Sequence, residues 1–392
     1  MNTTAAPHAA AVSRDQPLAF VQGLRGIAAM LVVMWHGSRF ISPYGTGLGF
    51  LIFGSGRTMG VDLFFVISGF IMVYTTARND GSIGYCRDYF VKRLTRIWPT
   101  YVGITVFYHL VASGLAYFYF SSSVDIRRFI ETLTFVPLAN TAGVPVIDYP
   151  ALPVGWTLNY EMYFYVVFGV SLLFGRYRWL AFFGWMAASL IALPSAIGSV
   201  TLATTTNYGF RFPYVNLMTS PIIWLFVTGV VIGLAHQAGL TIRNKFYARL
   251  ALAASTSLVV WQYASGFHTE HGILECGLSI IPFMLVLVLT SRTMSLPVPR
   301  FVVYLGDISF SLYLIHPLAQ EHLEVRFDAA ALNAYTSGPA FLFLTTALAV
   351  ALAAVSHRYL ERGLADWLKN RFLSGARRPA STYRDVGPIA TS

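Results

Sequence analysis

Apolar runs of about 20 residues recur along the whole chain, separated by short polar or basic connections. A helix of that length crosses the hydrocarbon core of a bilayer. Run length and the flanking Gly, Pro and charged residues predict an all-α integral membrane protein with ten transmembrane helices. These helices are expected near residues 18–40, 59–77, 97–120, 154–175, 179–198, 219–237, 247–266, 272–290, 301–320 and 338–357.

Composition supports a membrane location for the whole chain. Of its 392 residues, 56% are hydrophobic and 11% are charged, and the mean hydropathy is +0.59. A single water-soluble core cannot bury such an apolar excess. No polar block is long enough to form a separate soluble domain. We therefore predict a cytoplasmic segment 1–17, one membrane domain 18–372 and a disordered cytoplasmic tail 373–392.

The formal net charge of +10 reflects how basic residues are distributed across the membrane. With the N-terminus inside, most of the 27 Lys and Arg residues lie in connections on the cytoplasmic side. This bias is the positive-inside pattern of multi-pass proteins, and it predicts that both termini are cytoplasmic. Membrane lipids rather than nucleic acid therefore account for the charge.

Arg25 and His36 interrupt the first apolar run. They are eleven residues apart, so steps of about 100° return both to one helix face, about 16 Å apart along the axis. Ionisable residues at membrane depth usually face the protein interior and mark a site. The functional hypothesis is a polar track in which His36 is a general base. The alternative is an Arg25 ion pair with Asp62 and a structural, interfacial His36.

Two acidic residues lie within other predicted spans. Asp62 stands one turn into the second span, where it either orients His36 or caps its helix. Glu161 belongs to the fourth span and either orients a substrate hydroxyl, pairs with Arg25 or His36, or links two helices. The residues alone leave these interpretations open.

A basic cluster precedes the third predicted span. Arg93 and Arg96 are three residues apart, so on a helical turn they share a face and can hold phosphate oxygens. The alternative is simple anchoring of the protein at the cytoplasmic surface. The cysteines, Cys86 and Cys276, show no disulfide or metal-binding pattern, and no metal is expected.

Five sequence blocks, in order along the chain, resemble the acyltransferase 3 family of integral membrane acyltransferases. They are Gln22 to Ala29 followed by His36, which is similar to the family's Arg, ten residues, His motif; Gly60 to Phe70; Arg93-x-x-Arg96; Gly155-Trp156-Thr157-Leu158 through Glu161; and Ser311-Leu312-Tyr313-Leu314-Ile315-His316-Pro317. The Asn159-Tyr160-Glu161 version of the fourth block is similar to bacterial exopolysaccharide acetyltransferases of the succinoglycan type. The family often has Glu-x-Pro after its last helix. This chain instead reads Leu360-Glu361-Arg362-Gly363 there, so no role is assigned to Glu361.

The resemblance implies an O-acyltransferase in the bacterial cytoplasmic (inner) membrane. The donor would be acetyl-CoA or another acyl-CoA, bound by Arg25, Arg93 and Arg96. The acceptor would be a hydroxyl of a polysaccharide or lipid-linked oligosaccharide. His36, Asp62 and Glu161 are the expected catalytic residues. The expected substrate-binding residues are Trp156, Asn159, Tyr163 and His316.

Two other classes of protein also place ionisable residues in a membrane. A proton-coupled transporter of a polysaccharide precursor would use them as a pathway. A structural subunit of an export complex would use them for assembly. The acyl chain, the acceptor sugar and its hydroxyl, the choice between direct transfer and an acyl-enzyme, and the oligomeric state do not follow from the residues.

Overall fold

The computed structural model describes residues 19–41, 58–113, 123–137 and 151–374, and this part of the chain contains helices and no strand. The predicted all-α class is therefore confirmed. The predicted N-terminal segment 1–17 and nearly all of the predicted tail, residues 375–392, lie outside the described residues.

The α-helices of the described residues occupy each of the ten predicted regions, with changed boundaries, and include three further helices near 123–133, 213–218 and 365–374 that were not predicted. In chain order they are α1 (Ala19–Gly37), α2 (Met59–Thr75), α3 (Ile83–Ser113), α4 (Ser123–Leu133), α5 (Trp156–Leu172), α6 (Arg178–Ala187, continued by a π-helical turn Ala188–Ala192 and by Leu193–Ala196), α7 (Pro213–Met218), α8 (Ile223–Gln237), α9 (Lys245–Ser265), α10 (Gly277–Thr290), α11 (Arg300–Asp307), α12 (Ser309–Ala329), α13 (Pro339–Ser356) and α14 (Ala365–Ser374). A π-helical segment, His357–Leu364, joins α13 to α14.

Length and composition identify fewer membrane spans than the ten predicted. Among the described residues, three helical stretches are long and apolar enough to cross a bilayer: Ala19–Phe40, Gly175–Ala196 and Pro339–Leu373. The pair α11 and α12, bent by 75°, makes a fourth if it forms one broken span. Helices α2, α8 and α10 are apolar but only 10–17 residues long. Ten spans and two cytoplasmic termini stay predictions.

Two predicted boundaries are wrong in ways that matter for the site. Helix α3 begins at Ile83 rather than near residue 97, so Arg93 and Arg96 lie inside a long helix and not at its entrance. Three basic side chains of this stretch line a polar cavity: Lys92, Arg93 and Arg96. The predicted helix 301–320 is broken at Ile308, whereas Pro317 lies within α12 and does not end it.

Close helix packing holds α2 in the centre of the bundle. A Cβ atom on Gly69 would lie 2.1 Å from the Phe226 carbonyl oxygen, and one on Gly229 would lie 2.1 Å from the Val66 carbonyl oxygen. Helices α2 and α8 therefore meet through facing glycines, as small residues allow in membrane proteins. Helix α1 meets α11 in the same way, since a Cβ on Gly306 would lie 1.9 Å from the Gln22 carbonyl oxygen.

Candidate functional site

A cavity of about 770 Å³, the wide cavity, opens between α1, α2, α3 and the C-terminal helices. Basic side chains line much of its wall: Arg25, Lys92, Arg93, Arg96, Arg362 and Lys369. Acidic side chains also reach it: Asp88, Asp307, Glu361 and Asp366. A cavity with this wall suits a large anionic ligand that also carries hydrogen-bond donors.

A second cavity of about 70 Å³, the narrow cavity, continues from the wide one into the bundle. Both cavities share Arg25, Arg93 and Arg96. The structure thus brings together the three arginines expected to share a ligand; that ligand is still a prediction. Beyond them the wall is largely aromatic and apolar, and it includes Phe64, Ile67, Ile97, Leu158, Phe310 and Tyr313.

A short hydrogen-bond chain fixes Arg25 at the junction of the two cavities. Its guanidinium donates to Oε1 of Gln22 at 2.9 Å, one turn earlier in α1. The Gln22 amide in turn donates to Oδ1 of Asp307 at 2.9 Å, at the end of α11. The alternative of an Arg25 ion pair with Asp62 is wrong, because Asp62 binds other partners.

Arg93 contacts side chains from two other helices, α2 and α5. Its guanidinium donates to Oγ1 of Thr75 at 3.0 Å and lies over the ring of Tyr165, 5.4 Å from the centroid. The Tyr165 hydroxyl donates to the Glu161 carboxylate, which lines the narrow cavity. Glu161 therefore faces the arginine end of the site, and its predicted pairing with His36 is not found.

Glu361, to which the sequence assigned no role, is a buried member of the wide-cavity wall. Its side chain is 8% exposed and lies 3.2 Å from Nδ1 of His357. Its Oε1 accepts from the Ser311 backbone N–H at 2.9 Å and also from the Ser311 hydroxyl. The first amides of a helix have no partner within that helix, so Glu361 satisfies the N-terminal turn of α12. No role was assigned to Glu361 from the sequence because the proline of Glu-x-Pro is absent. Its position as an acid just after the last apolar run could have marked it as a candidate site residue.

We expect the loss of Glu361 to loosen the break between α11 and α12. Glu361→Ala removes a buried hydrogen bond to a charged group, typically worth about 1.5–3 kcal/mol, while Glu361→Gln keeps an acceptor oxygen. The apparent melting temperature in detergent should fall most for Ala and less for Gln. Asp366→Asn is the control, because this acid lines the same cavity but its side chain is 52% exposed. A Glu361→Ala protein as stable as the wild type contradicts the capping role.

His36 lies at the other end of α1, beside a second histidine. Nδ1 of His36 donates to the Val32 carbonyl at 2.9 Å, which leaves Nε2 with its lone pair. Its ring is exposed and lies 4.9 Å from the ring of His316, which is fully buried. Nδ1 of His316 is 3.3 Å from the Leu312 carbonyl oxygen, and its Nε2 has no hydrogen-bond partner. Two histidine nitrogens without a hydrogen-bond partner among the described residues therefore lie close together, between the C-terminal end of α1 and the first half of α12.

Tyr313 separates the histidine pair from the narrow cavity. It lines that cavity together with Phe64, whose ring centroid lies 5.9 Å from its own. On its other side, Tyr313 lies 6.1 Å from the ring of His316. Its hydroxyl donates to the Val154 carbonyl at 2.9 Å. His36 lines neither cavity, and Tyr313 connects the wall of the narrow cavity to the histidine pair through its contact with His316.

Asp62 does not orient His36, and this prediction is corrected. One carboxylate oxygen binds Nδ1 of His271 and the other accepts from the Gly272 N–H at 2.8 Å. Neither does Asp62 cap its own helix. It instead ties α2 to the connection between α9 and α10, which no local pattern predicts because the partners are 209 and 210 residues apart.

The four residues predicted to bind the substrate, Trp156, Asn159, Tyr163 and His316, do not line either cavity. The Trp156 ring packs 5.5 Å from that of His271. The Tyr163 hydroxyl accepts from Nε1 of Trp185 at 2.9 Å, and Asn159 is buried. Of the four, the structure brings only His316 next to His36. The substrate contacts of all four stay predictions.

The chain is similar to known proteins over most of its length. The family described as "Acyltransferase domain", acyltransferase 3, matches residues 18–358. The exopolysaccharide production protein ExoZ of Rhizobium meliloti (strain 1021) is 30% identical over 318 residues, covering 78% of this chain and 88% of that protein. Nodulation protein 10 of Rhizobium leguminosarum bv. viciae is 27% identical over 282 residues, covering 67% of this chain and 72% of that protein. No solved structure matches the chain.

Proposed function

Since this chain belongs to the acyltransferase 3 family, we propose that it is a membrane O-acyltransferase that carries an acyl group from acyl-CoA to a hydroxyl of an exopolysaccharide or related surface glycan. The proposal rests on the order in which two cavities, an aromatic residue and two histidines follow one another through the protein. An arginine-lined cavity narrows into an apolar one, which ends at an aromatic residue beside two histidines.

The wide cavity fits the nucleotide end of coenzyme A. Arg25, Arg93 and Arg96 present planar, multidentate donors, which suit phosphate oxygens better than the point charge of a lysine. They lie where the wide cavity meets the narrow one, so the diphosphate would be held at the junction. The positive-inside bias of the sequence supports a cytoplasmic location for this opening, and acyl-CoA is made on that side.

The narrow cavity fits the uncharged arm and the acyl group of the donor. Its aromatic and aliphatic wall replaces water around the thioester, and Glu161 and Thr157 provide polar contacts along the way. Acetyl is the proposed acyl group because the chain resembles exopolysaccharide acetyltransferases.

His36 provides the base for the proposed reaction. Its Nε2 takes the proton from an acceptor hydroxyl as the oxygen attacks the thioester carbonyl. The tetrahedral intermediate then collapses, the carbon–sulfur bond breaks, and the thiolate takes the proton back from the His36 imidazolium. The products are an O-acyl ester and free coenzyme A. In the acyl-enzyme alternative, a histidine nitrogen carries the acyl group before the hydroxyl attacks.

Exopolysaccharide is proposed as the acceptor because the relative ExoZ is named for exopolysaccharide production. The chain covers 88% of that protein, so the similarity extends over nearly all of it. The proposed location is the cytoplasmic membrane, where a polysaccharide or lipid-linked oligosaccharide reaches the outer end of α1.

The proposal is tested by deleting the gene and measuring the ester groups on the surface polysaccharide by mass spectrometry. We expect one acyl ester to disappear and to return when the wild-type gene is restored. The purified protein in nanodiscs should also consume acetyl-CoA in the presence of saponified polysaccharide. Solute uptake without acyl-CoA consumption would instead support a proton-coupled transporter. Loss of assembly of an export complex, with esters unchanged, would support a structural subunit.

A further inference from the structure

A polar cluster at the outer ends of α3 and α12 lies next to the histidine pair. It consists of Tyr108, Glu321 and His322, and we call it the outer cluster. The Tyr108 hydroxyl donates to Oε2 of Glu321 at 2.6 Å. The rings of Tyr108 and His322 lie 5.2 Å apart, and Nε2 of His322 is buried without a hydrogen-bond partner. All three side chains are half-buried.

The register of α1 against α12 fixes this cluster relative to His36. Nε2 of Gln320 donates to the Val33 carbonyl at 3.0 Å, one residue along from the carbonyl that binds His36. Gly37 permits this approach, because a Cβ there would lie 2.9 Å from Nε2 of Gln320. Glu321 follows Gln320 directly in the chain. The hydrogen bond from the buried Gln320 amide to the backbone of α1 therefore holds Glu321 at the level of His36.

Charge connects the two groups as well. Glu321 lies close enough to both His36 and Tyr108 to interact with them electrostatically. The Arg39 guanidinium also lies near His36 and Tyr108, and it forms an ion pair with Glu324 at 3.0 Å. Tyr108 occupies one oxygen of the Glu321 carboxylate, so its second oxygen is available to a ligand that carries donors.

From this arrangement we infer that the outer cluster is the acceptor site, and that Glu321 binds a carbohydrate hydroxyl adjacent to the one acylated at His36. A carboxylate that accepts from hydroxyls, aromatic rings that cover apolar sugar faces, and a free imidazole nitrogen together suit a neutral polyhydroxylated ligand. This inference rests on the proposed acyl transfer and adds its acceptor-binding residues. Glu321 acts on the acceptor and takes no proton in the reaction.

Steady-state kinetics of the full chain in nanodiscs tests the inference. The probe acceptor is a set of oligosaccharides cut from the deletion strain's polysaccharide and saponified, with acetyl-CoA as donor. Glu321→Gln should raise the acceptor KM roughly 10- to 100-fold, the range expected for a lost hydrogen bond to a charged group. The acetyl-CoA KM should stay within about twofold, because the donor binds at the other end of the site. Tyr108→Phe, which keeps the carboxylate, should raise the acceptor KM less.

Glu324→Gln is the matched control, an acid one turn further along α12 whose partner is Arg39. Its acceptor KM should equal that of the wild type. An unchanged acceptor KM in Glu321→Gln, with wild-type transfer intact, overturns the acceptor site but leaves the proposed function standing. Wild-type protein that binds acetyl-CoA yet transfers nothing to the oligosaccharides overturns both. If Glu321→Gln cannot be recovered folded, Glu321→Asp decides, since a shortened carboxylate should also raise the acceptor KM and a wild-type value contradicts the inference.

Discussion

Replacing His36 by Ala is expected to abolish acyl transfer while leaving the protein inserted and able to bind acyl-CoA. Removal of a positioned general base typically costs roughly 100- to 10,000-fold in rate. Nδ1 of His36 is bound to the Val32 carbonyl, so Nε2 is the nitrogen that takes the proton. The rate of acetyl-CoA-dependent esterification measures the loss, and coenzyme A binding by calorimetry shows that the donor site persists.

His268→Ala provides the matched control for that experiment. This histidine lies in the connection after α9, is paired with Glu275 at 3.2 Å, and has a side chain that is 47% exposed. Its loss should leave transfer unchanged. Substantial transfer by His36→Ala would exclude His36 as the essential base. His316→Ala would then be the next test, because its free Nε2 lies beside the same space.

The part of the site carried by α1 could be predicted from sequence. The spacing of Arg25 and His36 places both on one helix face, and helical geometry alone gives that result. The structure places Arg25 at the junction of the two cavities and His36 beside His316. Arg93 and Arg96 were likewise expected to share a helical face. These predictions rest on the spacing of residues along a single helix, which can be read from one sequence.

The contacts between distant elements could not be predicted. Asp62 was expected either to orient His36 or to cap its own helix, yet its partners are His271 and Gly272. No role was assigned to Glu361 because the proline of the family's Glu-x-Pro motif is absent. In the structure Glu361 belongs to a π-helical segment and accepts a hydrogen bond from the N-terminal turn of α12. Both depend on how helices far apart in sequence pack, and a local pattern does not encode that packing. The start of α3 was misplaced for a related reason, since a charged stretch resembles a loop unless its cavity is known.

Tyr313 defines what the proposed mechanism requires of the protein's motion. Its ring lines the narrow cavity together with the three arginines and lies 6.1 Å from the ring of His316, and its hydroxyl donates to the Val154 carbonyl and lies 2.8 Å from Oγ1 of Thr157. The acyl group reaches His36 only if this ring rotates or the thioester passes beside it. A barrier of this kind also keeps water and acceptor from the thioester until both substrates are bound, which limits wasteful hydrolysis. The two substrates would thus approach from opposite faces of the membrane and meet at one aromatic residue.

Arg25→Ala is expected to raise the KM for acetyl-CoA roughly 10- to 100-fold, because it removes a charged donor at the point where both cavities meet. Arg25→Lys should restore little, since an ammonium cannot hold Gln22 and a phosphate in the same plane. The acceptor KM should change less than about twofold in both variants. Arg176→Ala, an exposed arginine stacked on Tyr177, should match the wild type. If Arg25→Ala leaves the donor KM unchanged, then this arginine is a structural link between α1 and α11, and the donor phosphates lie elsewhere.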